Sequence, residues 1–329
     1  CIRDRTSTLT LSSSSSDGYY SGLSDNVTVT TTDNDTVGLV LSGTNATVSE
    51  NGTTSTFTVR LNSAPTANVT LSLSDNDTTE VLASPTTLTF SSGNWSTSQL
   101  ITLTGLDDNV SNGSQSTLLT LTPSSSGDSK YNSSSLAQSL TTVTTDNDTV
   151  GLVLSKTTAT LSESGTIDNF SVVLTSEPTA TVTLTLSDND STEVSATPST
   201  LSFGSGNWSV AQWVTLTGKD DNVSDDNQTT LLTLTPSGAD YSGLAAPTLT
   251  VTTSDNDTAG LTIVESGSGT TAVEGGDNDT FTVRLASRPT GSVVLSVQAS
   301  NSADVSVNPT TLSFDNSSSS WQTAQTVTV

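Results

Sequence analysis

The sequence predicts an all-β protein of tandem antiparallel sandwiches, about seven strands each, strung end to end. Three observations predict it. The chain repeats itself with a period of about 110 residues, the size of one immunoglobulin-like sandwich. Apolar residues alternate with Ser and Thr over short runs such as Thr-Val-Thr-Leu and Leu-Thr-Leu-Thr, which puts one apolar face inward and one hydroxyl face outward. No stretch carries a helical period.

The repeat is set by landmarks. Asp-Asn-Asp occurs at Asp33–Asp35, Asp146–Asp148 and Asp255–Asp257, and Trp95, Trp208 and Trp321 return at one phase, as do Pro65, Pro178 and Pro289. These divide the chain into residues 1–35, the C-terminal part of a repeat; 36–148 and 149–257, two complete repeats; and 258–329, the N-terminal part of another. In the first complete repeat, strands are expected near Gly38–Ser42, Ser55–Leu61, Asn68–Leu73, Thr87–Phe90, Gln99–Thr104, Thr117–Thr122 and Leu140–Thr145. The two partial repeats sum to roughly one period. They fit either a window on a longer array or copies joined head to tail, the first strands of one completing the open repeat of the next.

Composition bounds the function. The chain is 329 residues, 31% hydrophobic and 4% aromatic, so each core is small. More than a third of it is Ser and Thr, and branched Thr and Val suit strands. The net charge of −25 comes from 33 acidic against 8 basic residues, which excludes nucleic acid as a partner and disfavours anionic membrane surfaces. No apolar run approaches the roughly 20 residues of a membrane-spanning helix. The chain has no His and one cysteine. Internal disulfides, zinc sites and Ser-His or Cys-His catalysis are therefore excluded, and no enzymatic activity is expected. Cys1 reads as a lipidated first residue, a lone thiol for intermolecular pairing, or the start of a window.

Four acidic elements recur in each complete repeat, all at strand ends. In the first they are Glu50, Asp75/Asp77, Asp107/Asp108 and Asp146/Asp148. In the second they are Glu163, Asp188/Asp190, Asp220/Asp221 and Asp255/Asp257. Asp and Asn favour turns, which explains any one Asp-Asn-Asp. Recurrence of all four together points to Ca2+, which takes about 6–8 hard oxygen ligands. Divalent cations would also offset the self-repulsion of the net charge.

The order of elements resembles the Calx-beta repeat family. Thr47-Val48-Ser49-Glu50, Thr56–Leu61, Leu88-Thr89-Phe90, Ile101–Asp108 and Asp146–Asp148 carry the resemblance. It implies an immunoglobulin-like sandwich with calcium held at one pole, and it places Glu50, Asp75 or Asp77, Asp107, Asp108, Asp146 and Asp148 where that family keeps its ligands. The chain departs from the family after the Asp pair, where Asn109–Ser114 and Asn222–Asp226 contain no Glu, which implies fewer ions per repeat. The last repeat keeps Glu274 but has Ala299-Ser300-Asn301-Ser302 where Asp-Asn-Asp is due.

Asn-x-Ser/Thr surrounds 19 of the 22 Asn residues, each a candidate N-glycan acceptor on the surface of a secreted protein. Asn26, Asn34, Asn45, Asn51, Asn68 and Asn76 lead the series. Asn94, Asn109, Asn112, Asn132, Asn147, Asn169 and Asn189 follow. Asn207, Asn222, Asn227, Asn256, Asn278 and Asn316 complete it. Strand alternation would aim sugars on Asn34, Asn147 and Asn256 away from the flanking carboxylates. The three repeated Trp residues read as covers over one end of each core, or alternatively as sugar-stacking platforms; Tyr20, Tyr131 and Tyr241 read as structural. The function expected is an extracellular or cell-surface fibre or adhesin stalk, stiffened by calcium, glycosylated, and assembled with copies of itself or flanking repeats. The alternative is an adhesion or glycan-binding module that uses the repeat poles or Trp turns.

Overall fold

A computed structural model of the chain describes residues 4–317 and 319–329. Cys1 lies outside the described residues. The chain divides into two compact units, residues 1–149 and 150–329.

The first unit begins with a hairpin, β1 (Arg5–Ser12) and β2 (Ser24–Thr31), in which Leu9 faces Val27. A complete sandwich follows. One sheet runs in the order β4 (Asn45–Ser49), β11 (Gln138–Thr145), β10 (Gln115–Ser124), β6 (Val69–Asp75), β8 (Thr87–Phe90). The other runs β3 (Leu39–Leu41), β5 (Thr54–Leu61), β9 (Gln99–Gly105), β7 (Val81–Ser84). All pairings are antiparallel except β4 with β11. Among the described residues this sandwich has nine strands rather than the seven expected. The two additions, β4 and β7, are short, and neither forms a hairpin with its chain neighbour: β4 pairs with the distant β11, and β7 with β9 across the intervening β8, so no local turn signal announces them.

Alternation makes the core. In β5, Phe57, Val59 and Leu61 are buried while Thr58 and Arg60 face outward. They meet Val69, Leu71, Phe90, Ile101, Leu103, Leu119, Leu121 and Leu140 in one cluster. Each such side chain contributes about 1.5–3 kcal/mol by leaving water.

The second unit opens with a sandwich of the same topology. Its sheets are β13 (Thr158–Ser162), β20 (Thr248–Ser254), β19 (Gln228–Ser237), β15 (Val182–Asp188), β17 (Thr200–Phe203), and β12 (Leu152–Leu154), β14 (Ile167–Leu174), β18 (Gln212–Gly218), β16 (Val194–Thr197). The rest of the unit is an open sandwich. It holds a sheet β21 (Leu261–Glu265), β22 (Thr280–Leu285), β25 (Gln325–Thr328) and a pair β23 (Val293–Ser296), β24 (Thr311–Phe314). Among the described residues of 258–329 nothing corresponds to β10 and β11.

The aromatic landmarks are structural. Trp95 and Trp208 pack on their cores and Trp321 is buried; their backbone carbonyls accept from Leu61, Leu174 and Leu285 N–H at 2.9, 3.0 and 3.0 Å. Tyr131 and Tyr241 are fully buried, but Tyr20, expected to be structural too, is 63% exposed.

Candidate metal centre

In the first sandwich β4, β9 and β11 end at one pole. Two glycines make this convergence close. A Cβ on Gly105 would lie 2.1 Å from the carbonyl oxygen of Ser49, and one on Gly218 would lie 2.2 Å from that of Ser162. Only glycine lets the end of β9 or β18 press against the turn that carries Glu50 or Glu163. The Asp pair follows two residues later, at Asp107/Asp108 and Asp220/Asp221.

The carboxylates meet there. Oxygens of Glu50, Asp146 and Asp148 lie within 4.8 Å of one another, as do those of Glu163, Asp255 and Asp257. Glu50 and Glu163 are 2% and 1% exposed. Backbone N–H groups hold Glu50 and Asp146 in place. Asn147 donates to Glu50 Oε2 at 3.1 Å, and Asp148 and Gly113 donate to Asp146 at 2.7 and 2.6 Å. The second sandwich repeats the pattern, Asn256 donating to Glu163 at 3.3 Å and Asp257 to Asp255 at 2.6 Å.

A third group joins the expected ligand Asp221 to two residues outside the recurring acidic elements: oxygens of Glu193, Asp221 and Asp225 also lie within 4.8 Å of one another. Glu193, and Glu80 at the same place in the first sandwich, are 3% and 5% exposed and precede β16 and β7. The signal was present as Thr-Thr-Glu-Val at 78–81 and Ser-Thr-Glu-Val at 191–194, one period apart. Asp225 also supplies a carboxylate in the stretch read as having no Glu; the first sandwich has Asn112 there.

The electrostatics are those of a site short of positive charge. Burial is the largest cause holding Glu50 and Glu163 above the usual carboxylate range, opposed by the N–H of Asn147 or Asn256 and reinforced by neighbouring carboxylates. Asp148, Asp257 and Glu80 are raised by burial and then by neighbouring acids. Glu193 is pushed up to about 7 by burial and by Glu163, Asp225, Asp190 and Asp221. Buried oxygens of Asp148 (Oδ2), Asp257 (Oδ2), Glu80 (Oε2) and Glu193 (Oε2) have no hydrogen-bond partner. Buried, unpaired acceptors beside like charges are costly, and a hard cation satisfies them. The donor set is all oxygen, which suits Ca2+ and not a soft metal.

Other expected ligands stand apart from these groups. Asp107 and Asp220 are reached through the side-chain amides of Asn147 and Asn256, at 2.9 and 3.3 Å. Asp108 accepts from Val110 N–H at 2.6 Å. Asp75 and Asp188 end β6 and β15, outside the three carboxylate groups. Asp77 and Asp190 are spent on local turns. They accept from Thr79 and Thr192 hydroxyls at 2.6 Å each, and these bonds lower both carboxyls. The amides of Asn147 and Asn256 thus turn toward a carboxylate, which corrects the outward aim expected from alternation. Of the 19 sequon Asn residues all are exposed except Asn94 and Asn207, which are half-buried.

A family model for the Calx-beta domain matches residues 32–149 and again 145–266, more than half of the chain. The chain belongs to the Calx-beta domain family. Calx-beta domains bind Ca2+, and acidic groups of this chain are positioned to chelate such ions. Among solved structures, CBD12 from CALX1.2 is 15% identical, with 66% of this chain and 99% of that one covered and a TM-score of 0.30. The calcium binding domain CBD12 of CALX1.1 is 18% identical, with 61% and 81% covered and a TM-score of 0.31. Extracellular cadherin domains 1–4 of protocadherin gamma B7 are 11% identical, with 94% and 80% covered and a TM-score of 0.36. A comparison with curated proteins finds no match. Among the described residues no helix is long and apolar enough to cross a membrane.

Proposed function

We propose that the chain is an extracellular, non-catalytic structural protein, a fibre or adhesin stalk, whose Calx-beta sandwiches are stiffened by calcium, coated with N-linked glycans and joined head to tail. The observation that carries the calcium part is the same buried carboxylate group, with the same unpartnered oxygen on Asp148 and Asp257, at the same pole of two sandwiches. Glu50, Asp146 and Asp148 would hold an ion in the first, with Glu163, Asp255 and Asp257 in the second. Glu193, Asp221 and Asp225 would hold a further ion, so the second sandwich binds more calcium than the first.

Surface placement of nearly every sequon supports the glycan coat and, with it, a secreted location. Packing of Trp95, Trp208 and Trp321 against their cores favours a spacer over a sugar-binding module built on these turns. Thermal unfolding in excess calcium and in chelator tests the metal. A ligand bound only by the native state must raise stability, by about 2.7 kcal/mol at one hundred times Kd. Equal melting in both conditions removes calcium from this reading. Intact mass of the chain purified from its source tests the sugars, and a mass of 33.6 kDa, that of bare peptide, removes them.

A further inference from the structure

Three of the four tryptophans recur with the repeat and pack on cores; the fourth, Trp213, does neither, and its side chain is 61% exposed. We propose that Trp213 is a sugar-binding residue for the chain's own glycan: the first pyranose of an N-glycan on Asn169 stacks on its indole. This deepens, and rests on, the glycan-coat part of the stalk reading.

The register of the second sandwich puts the two residues together. β14 and β18 pair antiparallel, with Asn169 opposite Thr215 and Ser171 opposite Trp213. In β14, Phe170, Val172 and Leu174 enter the core, so Ile167, Asn169, Ser171 and Val173 share the outer face. In β18, Val214 and Leu216 enter the core, so Trp213 and Thr215 share that same outer face. Asn169 and Trp213 are thus diagonal neighbours on one surface. Such neighbours stand about 7–8 Å apart, a span that an aromatic side chain crosses. Ile167, 65% exposed, lies on the same face two residues before Asn169. The acceptor Asn169-Phe170-Ser171 is therefore flanked by two uncovered apolar side chains.

The chemistry matches. A β-linked pyranose with equatorial hydroxyls turns axial C–H bonds to one side, and that apolar face fits the flat, electron-rich face of an indole. Stacking also takes apolar indole surface out of water. The hydroxyls of Ser171, Thr215 and Thr197, the last opposite Thr215 on β16, border this seat and offer donors and acceptors to the sugar's polar rim. Attachment forms the bond from the sugar's anomeric carbon to Asn169 Nδ2. It breaks that carbon's bond to the diphosphate of a lipid-linked sugar donor; the amide gives up one proton and the lipid diphosphate leaves.

The first sandwich shows the two residues to be a pair. There Thr56 faces Thr102 and Thr58 faces Leu100, in the register of Asn169 with Thr215 and Ser171 with Trp213. Thr56 and Leu100 are thus the counterparts of Asn169 and Trp213. Where the acceptor is absent, the flat ring is absent too. Leu100 is 54% exposed, so an uncovered apolar side chain at this place is common to both sandwiches. What the second sandwich adds is an indole together with a sequon.

The test uses the whole chain, produced in a host whose N-glycans begin with N-acetylglucosamine. Peptide mass spectrometry reads the occupancy of Asn169. With that site occupied, ring-current shielding should move proton signals of one N-acetylglucosamine upfield of those of the other glycans, and Trp213→Leu should abolish the shift. Trp213→Leu should also lower the melting temperature of the second sandwich by about 3 °C or more in the glycosylated chain. In an Asn169→Gln background it should change little, the difference being the coupling of a double-mutant cycle. Thr56→Asn creates Asn-Phe-Thr with Phe57 and Thr58, so the pair can be rebuilt in the first sandwich. The new glycan should stabilise that sandwich more with Leu100→Trp than without it. All four positions face outward, and hydrogen exchange on strand peptides reads each sandwich separately. An occupied Asn169 whose sugar signals are unshifted overturns the proposal and leaves the glycan coat standing. So does a Trp213→Leu effect that is equal in both backgrounds, or an Asn169 left bare while other sequons are occupied. Protein from its source with the mass of bare peptide removes the coat and this proposal together.

Discussion

Glu193→Gln isolates the charge problem that calcium would solve. The side chain is 3% exposed and its Oε2 has no partner. Its pKa rises from 4.5 to about 7 on folding. At about 1.4 kcal/mol per unit, ionising Glu193 in the metal-free sandwich costs about 3 kcal/mol. The sign follows from proton counting: between pH 4.5 and about 7 the folded chain holds a proton that the unfolded chain has released. Stability from this group is complete below pH 4.5 and is lost as pH rises through about 7. Glutamine keeps the shape without the charge. In chelator at pH 8, the second sandwich of Glu193→Gln should therefore be more stable than the native one by about 3 kcal/mol, on the order of 10 °C in melting temperature. Near pH 4.5 the two should coincide. Saturating calcium should reverse the order, because the variant has lost a ligand. Hydrogen exchange on peptides from β16 and β18 reads the second sandwich separately from the first. A neutral or destabilising effect in chelator at pH 8 would refute the claim that Glu193 is an uncompensated buried carboxylate.

Three further outcomes are expected. Gly105→Ala drives a methyl against the Ser49 backbone carbonyl, which has no rotamer to yield. It should destabilise the first sandwich by about 1–3 kcal/mol and weaken its calcium affinity, read by urea unfolding and calcium titration. Asp77→Ala removes a turn bond to Thr79 rather than an ion ligand. It should cost about 1 kcal/mol and leave the calcium response intact, so loss of that response would return Asp77 to the site. Tyr131→Phe leaves the buried Ser63 N–H and carbonyl without their partner. It should lower the urea midpoint by the equivalent of about 1–3 kcal/mol, whereas Tyr20→Phe, on an exposed ring, should leave stability unchanged.

Much of this molecule was legible in one dimension because the information is local and repeated. Alternation in Thr54–Leu61 states which side chains enter the core, since successive residues of a strand point to opposite faces. The recurrence of Trp95, Trp208 and Trp321 states the length of one repeat, since each falls at the same phase, between the same pair of strands. Glu50, Asp146 and Asp148 were nameable because three carboxylates at strand ends return together after one period. What pattern could not supply is who meets whom. Glu80 and Glu193 look like ordinary surface acids in a Thr-rich loop; only the packed sandwich buries them. Asp77 looks like a ligand, yet its Oδ1 is taken by the backbone and hydroxyl of its neighbour Thr79, and it stands outside the three carboxylate groups. Strands β4 and β7 carry no hairpin signal, because β4 pairs with β11 and β7 skips over β8 to pair with β9. Tyr20 recurs in the company of Tyr131 and Tyr241, and the sequence alone therefore reads all three as structural. Only the tertiary structure separates them: Tyr131 and Tyr241 lie between the two sheets of a sandwich and are fully buried, whereas Tyr20 lies in the loop of the β1–β2 hairpin and is 63% exposed, because burial takes a second sheet across the core.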